Sequence, residues 1–462
     1  ITNDGATILS EMDIEHPAAQ MIVEVAQTQE DEVGDGTTTA SVLAGELLTK
    51  GEDLLDDDVH PTTIVEGYSA AAELAQDAIN ELVLDVDLDD ETLVEVAESS
   101  MTGKGTGDVE AEKLAEVVVD AVRHAKSDNG VRRDNIEVHT QTGAASSATK
   151  LVEGVIVDET AVHDNMPTSV EDASIAVIDT ELDVRESNID AEYNVSSVDQ
   201  LNAALDAEEG ELQGYAEDVL ESGADVAFVT EDVADRVASQ LAKEGVFVAD
   251  SIGSSTAKDI VEATGAKRVG SLEALDEDSL GHADSVDVEK QGDDDVTFIT
   301  GGATAESVTV IARGSTEHVV DELERALNDA LDTVIAALDA GGVVPGAGAT
   351  EIAIADHIRS EAASIEGRKQ LAVEAFADAV DVLPRTLAEN TGLDAIDALV
   401  DLRAEHESEG IAGIISEGQT GVVGDPVEYG ILDPAAVKRE AVDSATEAAT
   451  MIVRIDDVIS SS

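Results

Sequence analysis

The 462-residue sequence has no cysteine, no tryptophan, and only four tyrosines and four phenylalanines. Without cysteine, disulfides and thiolate chemistry are excluded. Basic residues are scarce as well: 25 Lys and Arg stand against 103 Asp and Glu, a formal net charge of −78. A nucleic-acid backbone is bound through clustered Lys and Arg, so that composition argues against nucleic acid as a partner. No apolar run approaches the ~20 residues of a membrane span, so no membrane partner is expected. The chain opens at Ile1 without an initiator methionine, which leaves a signal peptide unreadable and suggests a truncated N-terminus.

What remains is a foldable chain. Acidity with few aromatics is often a mark of disorder, yet 43% of the residues are apolar and recur with helix and strand periods. At ~150 residues per domain, the length suggests about three domains. Crowded carboxylates repel over ~8 Å at ordinary ionic strength but over only ~3 Å near 1 M salt. Acid spread over nearly every segment therefore suits a cytoplasm of molar salt, as in salt-accumulating halophiles.

Both ends read as helical. Met21, Ile22, Val25 and Ala26 give Ala19 to Val33 a helical face, Thr38 to Leu55 continues after a glycine turn, and a final helix is expected from Pro434 to Ile459, capped by Asp433. The middle alternates helices with strand-like runs at 174–178, 225–230, 246–249, 296–300 and 307–312, an α/β pattern inserted between two halves of a helical domain. Further strand signals lie at 136–139 and 151–157. The acidic run Asp85 to Thr92 lacks the glycine and glutamate of a calcium loop at the required positions, so it reads as a solvated loop.

The stretch EVGDGTTTASVL, Glu32 to Leu43, concentrates chemistry at a helix mouth. Gly34 and Gly36 allow close backbone approach. The N–H groups of a helix starting near Thr37 form an anion site, and Thr37, Thr38 and Thr39 add hydroxyls. Asp35 offers an oxygen suited to Mg²⁺. An ordinary capped turn is the competing explanation. No GxxxxGK[ST] phosphate loop occurs.

These residues, read with others, resemble a known family. QEDEVGDGTTTASVLAGELL (29–48), TNDGATIL (2–9), SSMTGKG (99–105), VTVIARGSTEHVVDELERALNDAL (308–331), VVPGAGATE (343–351), LPRTLAENTGLDAID (383–397) and KREAVDSATEAATMIVRIDDVI (438–459) are together similar to group II chaperonins, in the family's order and over essentially the whole chain. The resemblance implies an α+β multidomain protein. A helical equatorial domain (1–92 and 343–462) would be split by an intermediate domain (93–157 and 307–342), with an inserted α/β apical domain (158–306) bearing a helical lid protrusion near 193–215. It implies a cytoplasmic, Mg²⁺-dependent ATPase that encloses and folds unfolded polypeptides in two stacked rings of identical or related subunits, eight to a ring.

The same resemblance distributes roles. Asp35 would hold Mg²⁺, and Gly36, Thr37, Thr38 and Thr39 would cradle the phosphates of ATP. Lys104 would reach the terminal phosphate. Asp329 would be the catalytic carboxylate, with Asp4 helping to orient water. Gly346 and Gly348 would line the nucleotide, and Asp433 would bond the ribose. Two departures stand out: Ala347 replaces the middle of three family glycines, and the glycine-rich loop and strand before TNDGATIL are absent.

Taken alone, the residues allow plainer readings. Asp329 points away from the Leu323, Leu327, Leu331 and Val334 face, as solvated acids do. Asp433 is also a helix cap, and Lys104 is also an isolated surface charge. A non-enzymatic acidic scaffold or surface protein is the alternative from another class, and a degenerate ring subunit that hydrolyses poorly is the intermediate case.

Overall fold

The structure, a computed structural model, describes residues 5–12, 14, 16–102, 110–127, 130–142, 146–183, 198–291, 294–302, 308–339, 341–417 and 420–455. The chain divides into two compact units, one built from residues 1–122 and 321–462, the other from 123–320. Both chain ends therefore share one unit, and the middle forms the other.

The discontinuous unit opens with α1 (Gly5–Ser10), α2 (Pro17–Val33), α3 (Thr37–Asp56), α4 (Pro61–Leu82), α5 (Asp90–Met101) and α6 (Ala111–His124). Local chemistry sets their ends. His16 and His60 accept a backbone N–H through Nδ1 at the starts of α2 and α4, each just before a proline at the first helical position. Asp89 does the same for α5, so the acidic run at 85–92 ends as a helix cap.

In the middle unit, β1 (Ile136–Thr142), β2 (Lys150–Glu153), β3 (Val155–Val157) and β4 (Ser169–Ile178) precede α7 (Val198–Ser222). Then come β5 (Val226–Val229), α8 (Asp235–Glu244), β6 (Phe247–Ala249), α9 (Ser254–Thr264), β7 (Arg268–Val269), β8 (Gly281–Gln291), β9 (Asp294–Gly302) and β10 (Val308–Gly314). A seven-stranded sheet has the order β3-β9-β8-β4-β5-β6, with β7 also on β4. Its β4-β5-β6 portion is parallel, and β8 and β9 are antiparallel to their neighbours.

The parallel strands are apolar on both faces because both are covered. Ala176, Ile178, Ala227 and Val229 share a core with Leu212, Ala216 and Val219 of α7, while Ile175, Val177, Phe228 and Phe247 pack with Ala257 and Ile260 of α9. A separate sheet has the order β1-β10-β2, so the 307–312 run does not join the larger sheet. The strand signal at 151–157 also divides. Gly154, at φ +113 and with Ile299 O only 1.9 Å from where a Cβ would sit, passes the chain from one sheet to the other.

The chain returns through α10 (Glu317–Asp339), β11 (Val343–Pro345), α11 (Ala349–Ala362), α12 (Lys369–Val380), α13 (Val382–Asn390) and α14 (Ala395–Glu409). It closes with the hairpin β12 (Gly413–Glu417) and β13 (Thr420–Gly424), β14 (Leu432–Pro434) and α15 (Ala435–Val453). The helical unit thus carries two small antiparallel ladders, β11 with β14 and β12 with β13. Its core joins Leu43, Leu47, Ile64, Tyr68 and Ile79 to Val373, Phe376, Ala445 and Ala449. With few aromatics available, Tyr68 and Phe376 form a single edge-on pair with centroids 5.8 Å apart, and alanines let the helices approach closely. Among the described residues no helix is long and apolar enough to cross a membrane.

Candidate functional site

The turn between α2 and α3 is built from two left-handed glycines around one acid. Gly34 (φ 68) closes α2 with its N–H on the Glu30 carbonyl, and Gly36 (φ 81) starts α3 without a side-chain cap. Both must be glycine for a second reason. A Cβ on Gly34 would lie 2.2 Å from the Asp332 Cβ, and one on Gly36 would lie 2.8 Å from Val437 Cγ1. The first N–H bonded within α3 is that of Ala40, to the Gly36 carbonyl, so among the described residues the amides of Thr37, Thr38 and Thr39 have no partner within the helix, as at any helix N-terminus.

The start of α1 lies over this helix mouth: a Cβ on Gly5 would be 2.6 Å from Thr38 Oγ1 and 3.2 Å from the Thr38 nitrogen. The described part of TNDGATIL, from Gly5 onward, is thereby brought to the threonines; Asp4 lies outside the described residues, as does Lys104. Gln29, fully buried, ties the turn down. Its Nε2 donates to the Asp35 carbonyl at 2.7 Å and to the Val437 carbonyl at 3.2 Å.

Asp329 departs from the expectation of a solvated acid. It is only 8% exposed, because the side of α10 away from the leucine face is covered as well. Thr333 Oγ1 donates to the Asp329 carbonyl at 2.6 Å and reaches Ser100 Oγ of α5 at 3.3 Å. Asp332 fills the space beside Gly34, and i,i+3 neighbours share a helix face, so Asp329 stands on the side of α10 that meets the Gly34 turn.

A second cluster forms where β11 pairs with β14. Val344 is in register with Asp433, and just beyond it the Gly346 N–H donates to the Ile431 carbonyl at 2.9 Å. A Cβ on Gly346 would sit 3.2 Å from Asp433 Oδ2. Gly348 (φ 82) begins α11, and Ala347 takes a positive φ of 56, the conformation for which glycine is the natural residue.

Asp433 is not the cap of the last helix. Pro434 remains in the ladder and occupies the cap position without a side-chain hydrogen bond, so α15 begins at Ala435. The Asp433 carboxylate instead receives Lys438 Nζ at 2.7 Å, and the same ammonium lies 2.8 Å from Glu351 Oε1. Burial disfavours the ammonium, but Asp433 and then Glu351 outweigh it and push the Lys438 pKa up, so the group stays charged.

The two clusters meet in the first turn of α15, where Val437 touches Gly36 and neighbouring Lys438 holds Asp433. The sequence-expected residues Gly36, Thr37, Gly346 and Asp433 are thus joined by Gln29, Lys438 and Glu351, which sequence reading passed over. A signal existed. Each of the three stands at an end of a quoted motif, and Lys438 is one of few basic residues in the chain.

The donor set fits a magnesium nucleotide. Mg²⁺ is ordinarily held by one or two carboxylates and the phosphates themselves. Among the described residues no group of three His, Cys, Asp or Glu side chains could form a protein-only metal site. Asp35, beside the amides of a helix N-terminus, suits the shared arrangement.

The profile of the TCP-1/cpn60 chaperonin family matches residues 1–462. Thermosome subunit 3 of Haloferax volcanii is 67% identical over 461 residues, covering 99% of this chain and 88% of that protein. A thermosome subunit of Methanopyrus kandleri is 47% identical over 465 residues, covering 99% and 85%. The open-state monomer of a group II chaperonin from Methanococcoides burtonii superposes with a TM-score of 0.70 at 34% identity, covering 92% of this chain and all of that one. These matches do not support a non-enzymatic acidic scaffold or surface protein. The chain belongs to the TCP-1/cpn60 chaperonin family, as a group II, thermosome-type chaperonin subunit with the acidic composition of a halophile.

Proposed function

We propose that this subunit binds and hydrolyses MgATP in the helical unit and uses the cycle to enclose unfolded polypeptide. The observation that carries the reading is the buried Asp329, on the helix face that meets the Gly34 turn. Magnesium, when bound, supplies neutralising charge on the phosphates. Asp35 provides its carboxylate oxygen, and the amides and hydroxyls of Gly36, Thr37, Thr38 and Thr39 orient phosphate oxygens. Asp329 orients the attacking water. Gly346 and Gly348 line the nucleotide and Asp433 takes the ribose. Asp4 and Lys104 are assigned to water and terminal phosphate on sequence grounds.

In this reading the helical unit contains the equatorial domain at 1–92 and 343–462, while the intermediate segments at 93–157 and 307–342 fall partly in each of the two units. The apical domain is 158–306, and its lid lies near 193–215. Residues 193–197 of that lid lie outside the described residues; the rest is on α7. Identical or related subunits would form two stacked rings, eight to a ring, in the cytoplasm.

The test is a MgATP binding and turnover assay in molar KCl. Asp35→Ala is expected to weaken MgATP binding. Asp329→Ala is expected to leave binding largely intact and lower turnover at least tenfold, about 1.4 kcal/mol of barrier. Near-normal hydrolysis by Asp329→Ala would show that the wrong acid has been assigned.

A further inference from the structure

We infer that Lys438 is a positioning residue for the nucleotide sugar: it fixes the Asp433 carboxylate and so sets the discrimination between nucleoside triphosphates with intact and with deoxygenated ribose. The inference rests on the reading of Asp433 as the ribose partner.

Three charged groups stand in line from interior to surface. The side chains of Glu351, Lys438 and Asp433 are 6%, 13% and 29% exposed, so only Asp433 is open enough to meet a ligand. Its backbone is set by the β11–β14 ladder, where it pairs with Val344. Its side chain is set by Lys438, whose Nζ lies 2.7 Å from Oδ2. With Oδ2 committed to a charged hydrogen bond, the carboxylate cannot turn without losing it, and Oδ1 is the acceptor left for a sugar hydroxyl. Glu351 Oε1 lies 2.8 Å from the same ammonium on its buried side and balances its charge there.

Stability alone does not explain this arrangement. Buried ion groups with an excess of one sign are seldom better than apolar packing of the same volume. A carboxylate held at both backbone and side chain is what a site needs when it must hydrogen-bond a hydroxyl in one orientation. A site so built rejects the analogue lacking that hydroxyl far more strongly than an apolar pocket rejects an altered shape.

The experiment compares kcat/KM for ATP, 2′-deoxy-ATP and 3′-deoxy-ATP in molar KCl. The unsubstituted protein is expected to prefer ATP over at least one deoxy analogue by about tenfold or more. The main variant is Lys438→Met/Glu351→Gln, which removes the ammonium without stranding the buried Glu351 charge. Lys438→Met alone is measured in parallel in case the double variant does not fold. Either is expected to bring the preference below about threefold while triphosphate-dependent turnover persists. Glu351→Gln, which keeps the ammonium on Asp433, is expected to retain the preference. A folded Lys438 variant with the original preference overturns the inference if Asp433→Asn has lost it, and loss of preference in Glu351→Gln overturns it too, by showing general disruption. An original preference in Asp433→Asn would instead overturn the ribose assignment, and this inference with it.

Discussion

Asp332 stands where a side chain on Gly34 would have to go: the ideal Cβ of Gly34 lies 2.2 Å from the Asp332 Cβ, with Gly34 at φ +68. The Gly34 turn and α10 are therefore in backbone-to-side-chain contact. Gly34→Ala meets both a left-handed conformation costing ~1–2 kcal/mol and an overlap costing ~1–3 kcal/mol. It is expected to lower the denaturation midpoint and cut ATP turnover at least tenfold, since the Asp329 face of α10 is pushed from the turn. Turnover unchanged alongside a lowered midpoint would separate the turn from catalysis.

Ala347 holds φ 56 with its methyl about 3.0 Å from where a Cβ on Gly413 would be. A left-handed alanine costs ~1–2 kcal/mol, and glycine there adds ~0.4–1 kcal/mol of unfolded-state entropy. Ala347→Gly is thus expected to raise stability by up to about 1 kcal/mol, read from guanidinium unfolding. A lower midpoint would mean that the methyl is valuable packing.

Glu137 of β1 carries a pH dependence. Burial, then Asp259 and Asp158, push its carboxyl pKa up from 4.5 to about 7. Asp259 is raised as well, chiefly by burial, and Asp134, Asp259 and Glu262 line the same small cavity as Glu137. A folded pKa above the unfolded value stabilises the fold fully below pH ~4.5, and this is lost as pH rises through ~7. Glu137→Gln is therefore expected to stabilise the middle unit at pH 8 by an amount on the order of 2 kcal/mol, and to change little near pH 4.5. Thermal melts at the two pH values check this; equal effects at both would contradict the assignment.

The proposed lid can be cut only in part. Leu212, Ala216 and Val219 of α7 belong to the core beneath the parallel strands, and Glu209 pairs with Arg236 of α8 at 3.3 Å. A deletion running to Tyr215 would open that core. Removing 193–206 and closing with a Gly/Ser linker is expected to spare ATP hydrolysis but abolish ATP-dependent protection of captured polypeptide from protease. Surviving protection would place the lid elsewhere.

Much of the architecture was readable where periodicity was unmixed. The helices around Gly34 and Gly36 end within a residue or two of their expected limits, because glycine and proline punctuate them. The long strand Gly281–Gln291 was missed: in GHADSVDVEKQ the buried Ala283 and Val286 lie three residues apart, so they make no period-two alternation. The burial of Asp329 was not legible in its helix face, since cover on that side of α10 comes from elements remote in sequence, such as α5, whose Ser100 meets Thr333. The Lys438 bridge was hidden for the same reason, as Glu351 lies 87 residues away.

The amide of Gln29 reaches the carbonyl of Val437 across 408 residues of chain. At ~5–20 residues per second, synthesis separates the two by roughly 20–80 s. For all that time the nascent Gly34–Gly36 turn lacks the helix that closes over it, while the middle unit already has its own sheet partners. The Gly34–Gly36 turn is therefore closed only after the middle unit has been synthesised, and a chain that stops short of α15 leaves the Gln29 amide without its Val437 partner.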